Sequence, residues 1–126
     1  MRSYDPDIGP DLAVWETMDE GEQINLVTAY HRRTGTELPN PLLHATIHVV
    51  VENQIALGDQ IPVRSTLARL EQEGLDRHEA VHAIGSILAG HMYDLVRGAA
   101  PSDDPNAAYY QRLESLAAGE WRAHAE

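Results

Sequence analysis

Two pairs of histidines, each spaced four residues apart, are the part of this sequence best equipped for chemistry. His44 and His48 are followed four residues later by Glu52, and on a helix all three share one face, with Cβ atoms about 5–6 Å apart. His78 and His82 enclose Glu79 in the pattern H-E-x-x-H, in which two helical imidazoles hold zinc and the glutamate activates water. Seven histidines scattered at random over 126 residues would give about a third of one pair at this spacing. Two pairs are therefore an excess.

Cysteine is absent, so thiolate sites and disulfides are excluded and a metal would have to be held by imidazole and carboxylate. The candidate ligands are His44, His48, Glu52, His78 and His82, and the candidate general base is Glu79. Zinc suits that donor set first, with iron or manganese also compatible. Gly85, Ser86 and Ala89 continue the His82 face and are small enough to leave room for a metal-bound water or ligand. Glu79 has a competing role, because it stands three residues after Asp76, where a helix-capping carboxylate belongs.

The other histidines are weaker candidates. His31 closes a helical segment, where a protonated imidazole favours the negative end of the helix dipole, and that role competes with ligation. His91 shares an apolar stripe with Leu88 and Leu95, which suits a hydrogen-bonded core histidine, and His124 lies in a tail expected to fray.

Helices must position these residues. The segment 1–10, with Pro6, Gly9 and Pro10, has no periodicity and reads as an extended arm before a short helix over Leu12 to Trp15. Asp19 and Glu22 open a helix carrying Ile24, Val27 and Tyr30 and ending at Thr34-Gly35. Asn40-Pro41 is the strongest start signal, an N-cap followed by proline at the first helical position. Its helix carries the stripe Leu43, Ile47, Val50 and Leu57 and stops at Gly58-Asp59, despite the β-branched run Val49-Val50-Val51.

A short helix over Val63 to Glu73 follows, and a longer one starts from an Asp76/Glu79 capping box and runs to about Arg97 with Val81, Ile84, Leu88 and Leu95 on its stripe. A linker over 99–104 leads to Asp104-Pro105, which opens a last helix with Tyr109, Leu113, Leu116 and Trp121. No run alternates like a strand. The expected fold is all-α, one domain over 1–126, a small bundle of about five to six helices.

Composition bounds the function. Hydrophobic residues are 43% and charged residues 23%, as in ordinary globular chains. A net charge of −11 disfavours nucleic acid and anionic lipid. No apolar run reaches the roughly 20 residues of a membrane helix, and the N-terminus lacks a signal sequence, so the expectation is a cytoplasmic protein with no membrane partner. Phosphate loops, nucleophile elbows and basic stripes are absent. Apolar stripes on several short helices leave a homodimer open, and a substrate would be a small molecule of undefined class.

Asn40-Pro41-Leu42-Leu43-His44, His48, Glu52 and Gln54, then Gly74 and Arg77-His78-Glu79-Ala80-Val81-His82-Ala83, together resemble a bacterial family catalogued as domain of unknown function family 1841. The likeness spans about Asn40 to Arg97 and implies a recurring helical module without an assigned reaction. Zinc peptidases are less similar, since they place H-E-x-x-H mid-helix beneath a sheet, whereas here the motif opens a helix. Three readings follow. One is a metal-dependent enzyme with Glu79 as base, the second a non-catalytic module with a structural metal or a protein-binding surface. The third is a metal-free histidine layer that responds to pH.

Overall fold

A computed structural model of the chain describes residues 3–35, 38–98 and 104–125. Among these residues there is no strand, and the helices are α1 (Leu12–Trp15), α2 (Glu20–Arg33), α3 (Pro41–Ala56), α4 (Val63–Gln72), α5 (Arg77–Val96), α6 (Pro105–Ser115) and α7 (Ala118–Ala125). A 3-10 turn over Gly58–Gln60 joins α3 to α4. Side-chain caps mark the starts as their residue types require. Asp19 accepts from the Glu22 amide, Asn40 from Leu43 and Asp104 from Asn106 and Ala107. Asp76 and Glu79 form a reciprocal capping box at the start of α5.

α3 runs through the middle, packed by α2 on one side and by α4 and α5 on the other. Ala45 and Val49 join Tyr4, Trp15 and Val27 in one core, while Val51 and Ile55 join Val63, Leu67, Leu70, Val81, Ile84, Leu88 and Leu113 in a second. The line His48–Glu52 lies between these two apolar faces and is itself buried. A helix enclosed over so wide an arc is apolar on most of its circumference. Burial of Val49 and Val51 outweighs the modest helix cost of the β-branched run.

The expected stripe of α3 is thereby corrected: Leu43 is 51% and Leu57 46% exposed, because the neighbours sit over His48, Val51, Glu52 and Ile55 instead. On α5, Val81, Ile84 and Leu88 are buried as expected, but Leu95 is 40% exposed beyond the last packed turn. The expected single C-terminal helix is two, since Leu116 is extended (ψ 128°) and the Glu73 carboxylate accepts from the Ala118 amide at 2.9 Å to start α7. That capping partner comes from the end of α4, so local sequence does not reveal it. The linker region 99–103 lies outside the described residues, as does the side chain of His124, although the α7 backbone continues helical to Ala125.

The N-terminal arm is not merely extended. Residues 5–9 turn on the Asp5 carbonyl, and Tyr4 is fully buried against Trp15 and Tyr30. A closed polar loop ties its neighbourhood together: Trp15 Nε1 donates to Asn53 (2.7 Å), Asn53 to Gln23 (3.1 Å) and Gln23 to the Trp15 carbonyl (2.9 Å).

Candidate metal centre

The helix packing brings five imidazoles together from three helices. α3 presents His44 and His48, α5 presents His78 and His82, and α2 adds His31. One ring nitrogen from each of His31, His48, His78 and His82 lies within 4.8 Å of every other. His82 Nε2 is 2.9 Å from His48 Nε2 and 3.0 Å from His78 Nε2. The His44 ring stands beside them, 4.7 Å from His31, 4.8 Å from His48 and 4.9 Å from His82 between centroids.

Hydrogen bonds outside the cluster decide which nitrogen carries the proton. His31 Nδ1 is 2.9 Å from the Val27 carbonyl, which can only accept, so Nδ1 donates and Nε2 keeps its lone pair. That Nε2 is buried and, among the described residues, has no hydrogen-bond partner. Tyr4 donates its hydroxyl proton to Glu52 at 2.5 Å. His48 Nδ1, 3.2 Å from the same hydroxyl, must then be the donor to it, leaving Nε2 as a lone pair facing His82. Fixing a ring tautomer through the nitrogen remote from the ion is how ligating histidines are commonly oriented.

Glu52 is not among the converging residues. Its carboxylate is fully enclosed and grips Arg77 with two bonds, 2.7 and 2.9 Å, besides accepting from Tyr4. Arg77 Nη1 also donates to the Pro6 carbonyl at 2.8 Å, and the His78 amide meets Asp7 at 3.3 Å. The arm is therefore clamped across the back of the cluster, and Glu52 acts on His48 through Tyr4. Glu79 is likewise apart from the group: its carboxylate takes the Asp76 amide and Arg122, each at 3.4 Å.

Burial disfavours the charged form of four of these imidazoles. It pushes His48 down to about 2, His82 to about 3 and His44 to about 4, with the neighbouring rings adding to the effect in each case. His78 is also lowered by burial, although Asp7, Asp76 and Asp5 oppose that shift. Burial and the adjoining Glu52 carboxylate raise Tyr4, so its hydroxyl stays protonated. The neutral imidazole is the form that binds a metal.

A cavity of about 420 Å³ opens against His44, His48 and His82, and its walls include Leu43, Val81 and Trp121. Gly85, Ser86 and Ala89 all line it, in keeping with the room expected along that face, and Gly85 also packs closely against Ile47. His91 is buried and stacks on Tyr109 away from the cluster, but neither of its ring nitrogens has a hydrogen-bond partner among the described residues. Its expected hydrogen bond is thus missing.

Sequence reasoning did not find Tyr4 and Arg77, and it left His31 undecided. Tyr4 sits in a stretch without periodicity, and Arg77 looks like an ordinary first-turn residue. For His31 the signal was its spacing four residues after Val27, which places both on the buried face of α2.

The family model described as Domain of unknown function (DUF1841) matches residues 15–121, which includes every histidine of the cluster. No curated protein and no solved structure matches the chain. Among the described residues no helix is long and apolar enough to cross a membrane.

Proposed function

Since the chain belongs to the DUF1841 family, whose description names no reaction, we propose its role from the site itself: it binds one divalent transition metal between α2, α3 and α5. His31, His48, His78 and His82 are the ligands, with His44 adjoining them. The observation that carries this reading is the convergence of four ring nitrogens within 4.8 Å, with His48 Nε2 2.9 Å from His82 Nε2 and the buried His31 Nε2 without a partner among the described residues. The buried His31 Nε2, which has no hydrogen-bond partner among the described residues, costs about 1–3 kcal/mol, and ligation to an ion removes that cost. Tetrahedral ligands at about 2.0–2.1 Å from an ion stand about 3.3 Å from one another, so the pairs at 2.9 and 3.0 Å separate slightly on binding and the wider ones close in.

An all-imidazole set favours zinc, with iron also suitable, over manganese, which prefers carboxylates. Glu52, held by Arg77 and Tyr4, supports an orienting role rather than ligation. The geometry lends no support to Glu79 as a water-activating base, because capping and Arg122 occupy its carboxylate. Ligands drawn from three helices support a fastening role for the ion, and the cavity against His44, His48 and His82 supports access for a bound molecule.

Elemental analysis of protein purified without added metal tests the proposal. About one equivalent of zinc or iron per chain is expected, lost in the His48→Ala/His82→Ala variant. Metal-free protein that also fails to take up added zinc overturns it.

A further inference from the structure

The two sides of the histidine cluster differ. Behind it, Tyr4 is 0% exposed and bonded to Glu52, and the arm is clamped down by Arg77. In front lies the cavity of about 420 Å³, within the range of small-molecule sites. His44, His48 and His82 close one end, and Leu43, Val81 and Trp121 form apolar wall. No Asp, Glu, Lys or Arg is among the described residues lining it.

That lining selects by chemistry. Asn40 and Ser86 also line it, but Asn40 Oδ1 caps Leu43 and the Ser86 hydroxyl donates to the Ala83 carbonyl, so a sugar or a phosphate would shed its hydration there without enough free partners to replace it. An apolar body would lose nothing on the Leu43–Val81–Trp121 side and would gain from leaving water. One polar head group can be satisfied, at the imidazole end. The far wall is firm, because α7 is anchored by the Glu73 carboxylate on the Ala118 amide and by Arg122 on the Gly74 carbonyl, 2.9 and 2.7 Å.

Resting on the metal reading above, we infer that the centre takes a small, mainly apolar molecule with a single oxygen-donor head group. The head ligates the ion beside His48 and His82, and the body lies along Leu43, Val81 and Trp121. Short acyl compounds have this form.

Cobalt(II)-loaded full-length protein, titrated with acetohydroxamate and with hexanohydroxamate and followed by its visible bands, tests the inference. Each methylene buried is worth about fourfold in affinity, so the longer probe should bind at least tenfold more tightly. Ala89→Phe, at the exposed edge of the cavity, should abolish that preference and leave acetohydroxamate within about twofold. Ser86→Leu serves if Ala89→Phe does not fold. Cobalt bands with equal affinity for the two probes, or a chain-length preference that survives the filled cavity, overturn the inference and leave the metal centre standing. Absence of cobalt bands overturns both.

Discussion

Gly85 on α5 and Ile47 on α3 meet so closely that a Cβ added at Gly85 would stand 2.9 Å from Ile47 Cγ2. This contact sets the spacing of the two helices that carry four of the five clustered histidines. The atom in the way belongs to a β-branched side chain, stiff at χ1, so the helices themselves must give.

Gly85→Ala should therefore destabilise the fold by about 1–3 kcal/mol and weaken zinc binding by spreading His48 from His82. Ile47→Ala in the same chain should restore part of both losses. Thermal melts and competitive zinc titrations of the two single variants and the double variant measure the coupling. Strictly additive losses would show that the contact does not set the spacing.

Removing Tyr4's hydroxyl should loosen the metal without unfolding the chain. Tyr4→Phe leaves His48 Nδ1 and Glu52 each short of one bond, and losing such an orienting partner typically costs 10–100-fold in metal affinity. Arg77→Met is the harsher change, because it strands the fully enclosed Glu52 charge, at about 3–5 kcal/mol. Urea melts rank the two variants; a Tyr4→Phe protein with unaltered zinc affinity would remove Tyr4 from the site.

Stability of the metal-free protein should depend on pH in one direction. His48, His82 and His44 stay neutral in the fold far below the pH at which they charge when unfolded, since burial lowers them to about 2, 3 and 4. Their contribution is complete above about pH 6.5 and is lost as pH falls from there, where the unfolded chain binds more protons. In a chelator, the melting temperature should drop by about 5 °C or more between pH 7 and pH 5, and His48→Leu should flatten the slope. A melting temperature level across that range contradicts the prediction.

His91 makes the opposite prediction. Both its ring nitrogens are buried without hydrogen-bond partners among the described residues, so replacing it by an apolar residue of similar size removes a desolvation cost. His91→Leu should raise stability by about 1 kcal/mol and leave zinc stoichiometry unchanged. Reduced zinc binding in that variant would place His91 in the site after all.

Local chemistry made most helix starts legible. Asp19, Asn40-Pro41, Asp76 with Glu79, and Asp104-Pro105 each satisfy the free amides of a first turn within three residues of themselves, and the helices begin there. The four-residue spacing of His44 with His48 and of His78 with His82 was equally local, since one turn of helix is enough to align them. The break before α7 was not legible, because Glu73 supplies its cap from another helix.

Sequence alone thus settled that this chain is helical and that two helices each present a pair of imidazoles on one face. Tertiary structure decided which faces meet. It set Glu52 against Arg77, brought His31 in from α2, and laid Tyr4 from a patternless arm behind His48. The reason is range: helix periodicity and capping act over a few residues. A buried carboxylate or imidazole is satisfied by whatever partner packing delivers, and that partner can lie 44 positions away, as Tyr4 does from His48.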